Sequence, residues 1–312
     1  FRTAQYEDYL AARGVKLHYM RRDAINASTI RQLSGYDLVF NQKCLITPAL
    51  TRRIIGNSRR TLFDFDDAVY TRPGRPDRWP TSFRVKRRLH LWLRKADVVT
   101  TSSRYLADYA GRYSSRVITL PMSVDTELWR PADDRQQEET VIGWAGAPVN
   151  LPNLNRLEPV LRAVLDKNPA VRLAVFCGER PALQCRYDYY PFEPDSEHEF
   201  MRRLDIGLLP LPDEPYTLGK SPIKAIQYLA CAVPVVGEIS GGAPAEILDP
   251  GNSIAVHTEY EWQQALQKLV KDRDLRQSLG AAGRRLILER HNKSHVAEAV
   301  YRTIANSGPS GA

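Results

Sequence analysis

Histidine, methionine and cysteine are scarce in this chain of 312 residues, at six, three and four copies. The cysteines (Cys44, Cys177, Cys185 and Cys231) are scattered and none forms a CxxC pair, which argues against a zinc site or a redox dithiol. Cys177 and Cys231 lie in apolar runs and read as buried thiols of a protein kept in a reducing cytoplasm. The histidines offer a single pair at helical spacing, His291 and His295, in a stretch of surface or interdomain character. No apolar run approaches the ~18 residues of a membrane span. Neither a GxSxG elbow nor a Walker A loop is present, so serine-hydrolase and P-loop chemistry find no support. No repeat occurs, and the only biased tract is the short polar tail at 306–312.

What remains is a chain of ordinary globular composition, 43% hydrophobic and 26% charged, long enough for two domains. Lysine and arginine number 44 against 36 acidic residues, a net charge of +8. That balance suits an anionic partner such as a nucleotide, a phosphate or a membrane surface, and equally a solvated basic exterior. Nucleic acid is not expected, because no recognised binding module accompanies the charge.

Segments of helical and strand character alternate along the chain. Strands are expected at 15–20, 36–40, 61–65, 97–101 and 117–120, with helices at 3–13, 28–35, 48–55, 82–95 and 103–113 among them. The rhythm breaks at 121–139, where two prolines and the charged run 133–139 suggest a linker. It then restarts with strands at 140–144, 171–176, 206–211 and 233–236. Helices are expected at 154–167, 195–204, 222–231, 259–289 and 293–305. The fold class is therefore α/β, with two facing Rossmann-like, doubly wound domains. Their bounds are 1–122 and 140–290, with a linker at 123–139 and a final helix and tail at 291–312 that either stays with the second domain or crosses back to the first. Ligands of such sheets bind beyond the carboxyl ends of the strands, so an interdomain cleft is the expected active site.

The segment 205–238 carries the strongest chemistry. A buried strand runs into a loop and then a helix, for which Ser221 is the expected N-cap and Pro222 the first helical residue. Lys220 precedes the cap and Lys224 lies in the first turn. Lysine opposes the helix dipole there unless an anion is bound, so the pair suggests a diphosphate; two solvated lysines are the bland alternative. Gln227, one turn along the same face, could reach a ribose.

The pattern G-K-S-P-I-K-A-I-Q-Y-L-A followed by V-P-V-V resembles the donor-binding segment of glycosyltransferase family 4 enzymes with the GT-B fold, in the subgroup with a K-x-P-x-K signature: Lys220, Pro222 and Lys224. Many members carry two glutamates eight residues apart, and Gly219 and Gln227 stand at those positions here. The resemblance implies a retaining, metal-independent transfer of a hexose from a nucleotide diphosphate sugar, UDP- or GDP-linked, to a hydroxyl of a sugar, glycolipid or small molecule, with no cofactor. It places the donor against Gly219, Ser221, Pro222, Ile223 and Gln227, the base near 177–180 at Gly178, and Lys220 and Lys224 on the leaving diphosphate. The loop V-I-G-W-A-G-A-P, with Gly143, Gly146 and Ala147, resembles the first strand-turn of the donor domain, where small residues admit a phosphate; alone it is also an ordinary tight turn. The triplet Asp64, Asp66 and Asp67 in T-L-F-D-F-D-D-A resembles a recurring motif of the other domain. Asp66 is the candidate catalytic carboxylate, with Asp64 and Asp67 on the acceptor side, against a structural role in capping the next loop. Ser123, Val124, Asp125, Trp129 and Pro131 resemble the family's interdomain crossing.

The basic helix 82–95 mixes Phe83, Leu89, Trp92 and Leu93 with six cations. It suits either peripheral contact with the inner face of a membrane or a domain helix with one apolar face. The family's first strand and glycine-rich loop would precede Phe1, so an N-terminal segment is expected before it. The alternative function is a non-catalytic or weakly active sugar-nucleotide binder, motivated by Gly219 and Gln227.

Overall fold

Strand β2 (Thr61–Phe65) is buried at every position, and Phe63 stacks on Trp92 with ring centroids 5.5 Å apart. Such continuous burial marks a parallel sheet covered on both faces. The computed structural model describes residues 2–71, 81–133 and 139–306. Residues 134–138 of the charged run and 307–312 of the tail lie outside the described residues. The chain forms two units: Phe1–Met122, Glu214–Ser221 and Lys293–Ala312 make the first, and Ser123–Asp213 with Pro222–Asn292 the second.

The first unit holds helices α1 (Glu7–Ala11), α2 (Ala27–Arg31), α3 (Pro48–Asn57), α4 (Thr81–Lys95) and α5 (Arg104–Gly111). Its sheet has the order β1-β2-β3-β4, all parallel, with β1 (Val39–Gln42), β3 (Val98–Thr101) and β4 (Val117–Thr119) around β2. Helix α4 buries Leu89, Trp92 and Leu93 against this sheet, so most of its apolar face is core. The strand expected at 15–20 does not form. Val15 and Leu17 pack instead on a cluster made by Tyr6, Leu10, Leu120 and the final helix.

The second unit begins with β5 (Thr140–Ala145), α6 (Leu151–Asn155), α7 (Glu158–Lys167), β6 (Val171–Cys177), β7 (Asp188–Pro191), α8 (Glu197–Arg202) and β8 (Ile206–Leu209). The short helix α9 (Pro215–Leu218) lies in the stretch assigned to the first unit. The second unit resumes with α10 (Ile223–Ala230), β9 (Val235–Gly237), α11 (Gly242–Ala245), β10 (Ser253–Ala255), α12 (Glu259–Lys271) and α13 (Arg273–Arg290). Helix α14 (Lys293–Ala305) returns to the first unit.

The six-stranded sheet has the order β10-β9-β8-β5-β6-β7, all parallel. From β5 the chain winds outward through β6, and from β8 it winds the opposite way through β9. The reversal makes a crevice beyond the carboxyl ends of β5 and β8, where doubly wound sheets take their ligands. Strands β7 and β10 are edge strands that periodicity did not single out.

Candidate active site

At the β5/β8 reversal, α10 starts without a side-chain cap. Ser221, the expected N-cap, donates instead to the Asp66 carbonyl (2.6 Å) and pairs with the Ser102 hydroxyl (2.6 Å). Pro222 takes the cap position, not the first helical one, and a proline offers no side-chain acceptor. Among the described residues, the first-turn N–H groups of α10, at Ile223 and Lys224, thus have no side-chain oxygen on them. This is an anion-binding arrangement.

Two polar side chains of α10 face α8. Lys224 forms an ion pair with Glu197, the first residue of α8. Gln227 donates its amide to the other carboxylate oxygen at 3.2 Å. Gln227 is 5% exposed, and its amide oxygen is buried without a hydrogen bond. An orphaned buried acceptor costs ~1–3 kcal/mol, so a hydroxyl donor from outside the chain would relieve it. Tyr228, fully buried beneath Gly207, accepts from the Ala145 N–H at 3.0 Å and fixes α10 against the end of β5. Burial pushes its phenol well above the ordinary value.

The glycine candidates divide. Gly143 is a packing residue: a Cβ there would meet the Leu204 side chain at 2.3 Å. Gly146 lies on the Trp144 indole, where a Cβ would come to 2.4 Å. Neither therefore serves by admitting a ligand. Ala147 and Gly178 are exposed immediately after β5 and β6, at the carboxyl edge. Nearby, Arg156 grips Glu238 through two bonds of 2.7 and 2.6 Å, and Glu238 directly follows β9.

The carboxyl edge of the first unit gathers a different set. Lys43 follows β1 in a left-handed conformation (φ 53°). Its ammonium bridges Asp66 and Asp67, both at 2.6 Å. Burial alone would lower the Lys43 pKa, but Asp67 and Asp66 carry it well above the ordinary lysine value. Lys220 and Glu214 belong to the same unit. Burial lowers the Lys220 pKa, and Asp67 and Glu214 partly restore it. Lys220 and Lys224 are thus held by different acids in different units, not as one pair. Burial, with Asp67 second, also raises the Tyr216 phenol.

Asp64 does not join this edge. Arg2 grips it through two bonds of 2.8 Å and Thr100 donates at 2.7 Å, with the carboxylate 1% exposed. It is a structural carboxylate, turned beneath β2 while Asp66 and Asp67 continue past its end. Gly219 is also structural. A Cβ there would lie 2.6 Å from the Ala68 Cβ and 3.1 Å from Leu106, so close packing on the β2 loop leaves no room for the glutamate of related motifs.

Sequence reasoning missed Lys43, Glu197, Tyr216 and Glu238. Lys43 and Glu238 were within reach, since each lies two or three residues beyond an expected strand and directly follows an observed one. Glu197 was not, since nothing in the sequence ties it to Lys224 across 27 residues.

Residues 156–302 match the family model described as glycosyl transferase-like. That match covers just under half of the chain. The chain is 30% identical over 197 residues to a D-inositol 3-phosphate glycosyltransferase of Corynebacterium jeikeium, covering 52% of this chain and 45% of that protein. It is 27% identical over 194 residues to the protein of the same name from Mycobacterium marinum, covering 54% and 39%. The chain spans about half the length of the curated relatives it matches. Among solved structures, sucrose-phosphate synthase from Thermosynechococcus elongatus superposes with a TM-score of 0.70 at 16% identity, over 94% of this chain and 82% of that one. HepE of Anabaena, solved with UDP-glucose, gives 0.70 at 16% identity over 90% and 81%. The chain shares their GT-B fold.

Proposed function

We propose that the protein transfers a hexose from a nucleotide diphosphate sugar to an acceptor hydroxyl, with retention of configuration and without a metal ion. The observation that carries this reading is the uncapped start of α10 at the β5/β8 reversal, with Lys224 in its first turn and the orphaned Gln227 oxygen one turn on. The diphosphate accepts from the Ile223 and Lys224 N–H groups and displaces Glu197 from Lys224. The ribose donates a hydroxyl to the Gln227 oxygen, and the exposed Ala147 and Gly178 turns border the donor. The UDP-glucose complex of HepE favours a UDP-linked sugar, with GDP as the alternative.

In the reaction the bond from the anomeric carbon to the diphosphate breaks as the acceptor oxygen bonds that carbon. The acceptor proton passes to the departing phosphate oxygen, so no enzymic nucleophile is required. Lys224 and the α10 N–H groups stabilise the charge that develops on the diphosphate. Asp66 and Asp67, bridged by the Lys43 ammonium, position the acceptor.

One observation favours a second reading, a sugar-nucleotide binder without turnover: Gly219 packs so closely that no carboxylate can occupy its place. Calorimetric titration with UDP, GDP and dTDP tests the donor site, with one nucleotide expected to bind at about micromolar strength. Release of nucleoside diphosphate from a matched donor and acceptor separates transferase from binder. Absence of binding to all three nucleotides overturns both.

A further inference from the structure

The first unit contains a cavity of about 560 Å³ between α4 and α5 that the donor chemistry does not use. Among the described residues, four tyrosines and a histidine line it, and its charged members are Lys86 and Arg112 against one acid, Asp108. The rings are stacked on one another. Tyr70 and Tyr109 lie with centroids 3.8 Å apart at 6°, and His90 and Tyr113 at 4.1 Å and 22°. Their hydroxyls are tied together as well, Tyr70 to Tyr105 and Tyr109 to His90 Nε2 at 2.9 Å. Burial and the nearby Arg94 and Lys86 lower the His90 pKa, so the imidazole wall is neutral at pH 7.

Three features select the ligand. Rings already paired face to face leave no slot for a planar base to slide between them. What they present is an aromatic wall edged with hydroxyls, which suits a ligand with an apolar C–H face and several hydroxyl groups. Two cations against one carboxylate favour a negative charge on it. The third feature is position. Tyr70 lies three residues beyond Asp67, at most ~11 Å along an extended chain. Tyr105 lies two residues after Ser103, the cap of α5, and the neighbouring Ser102 hydroxyl lies 3.1 Å from the Asp66 carbonyl oxygen.

We propose that this cavity binds an acidic saccharide residue of the acceptor, adjoining the ring that carries the reactive hydroxyl. The acceptor is then an anionic oligosaccharide or glycoconjugate, not a single neutral sugar. This rests on the transfer reading, because that reading supplies the acceptor.

The test uses the full chain and two disaccharides, cellobiose and cellobiouronic acid, which differ by one carboxylate. Titrations followed by NMR should show the acid binding about 5–10-fold more tightly than the neutral sugar. The double substitution Lys86→Ala with Arg112→Ala, in the lining of the cavity, should erase that preference. Tyr109→Leu should weaken both probes by about 3–10-fold, and Tyr109→Phe, which keeps the ring and the fold, should bind like the wild type. The proposal is overturned if the wild type binds neither disaccharide, if the double variant keeps its preference for the acid, or if uridine displaces the bound probe. UDP titration of the same sample reports the donor site separately, so failure of the transfer reading and failure of this one are distinguishable.

Discussion

The two sheets end in the same way and arm their ends differently. In the first unit the charges at the carboxyl edge satisfy one another: Lys43 bridges Asp66 and Asp67, and Lys220 lies among Asp67 and Glu214. In the second unit the edge is left partly unsatisfied, with an uncapped helix start and an amide oxygen without a donor. A parallel sheet thus fixes where polar groups collect without fixing whether they bind one another or a ligand. Local features decide that. Ser221 turns its hydroxyl to Asp66 and Ser102, which completes one edge and leaves the other open.

Substitutions can break the comparison from either side. The largest effect is expected from Asp64→Ala, which strands the buried Arg2 guanidinium and should cost the first unit ~3–5 kcal/mol. Urea unfolding should show the loss in that unit's transition and leave the transition of the second unit in place. Gly219→Glu restores the acid found in related motifs, yet it forces a Cβ to 2.6 Å from Ala68. It should destabilise the first unit by ~1–3 kcal/mol and bring no gain in UDP affinity.

Gln227→Glu sharpens the other side. It places a second carboxylate beside Glu197, where the wild-type amide donates at 3.2 Å. Two such carboxylates do not both ionise readily, so one pKa rises above its unfolded value. The folded state then binds more protons than the unfolded state, and stability falls as pH rises through the raised value. Thermal melts at pH 5 and pH 8 should show the variant losing ~1–2 kcal/mol relative to wild type at the higher pH, with the deficit smaller at the lower one. The smallest effect is expected from Arg84→Ser with Arg87→Ser, on the exposed face of α4. Stability should stay within ~0.5 kcal/mol, because Leu89, Trp92 and Leu93 carry that helix's packing.

The alternation of segments made the doubly wound architecture legible, and most strands lie within a few residues of their expected places. Residues 15–20 misled because an apolar alternation also suits an extended segment packed on a helix. The motif around Lys220 and Lys224 was legible as a segment but not as a geometry. The chain leaves the second unit for Glu214–Ser221 and returns at Pro222, which separates residues four apart in sequence. The aspartate triplet was legible as polar residues near a strand end. Strand alternation then put Asp64 inside β2, where Arg2 takes it, while Asp66 and Asp67 continue into the loop. Glu197 was invisible because partners distant in sequence emerge only from the fold.

The central claim, that the donor diphosphate is held at the start of α10, is tested most directly by calorimetric titration of UDP into the wild type, Lys224→Ala and Asp67→Asn. The account predicts that Lys224→Ala loses ~10-fold or more in affinity, since a charge-assisted bond to the diphosphate is gone. It predicts that Asp67→Asn, in the first unit's self-satisfied cluster, stays within about 3-fold of the wild type. Unchanged UDP affinity in Lys224→Ala, or a larger loss in Asp67→Asn, would contradict it.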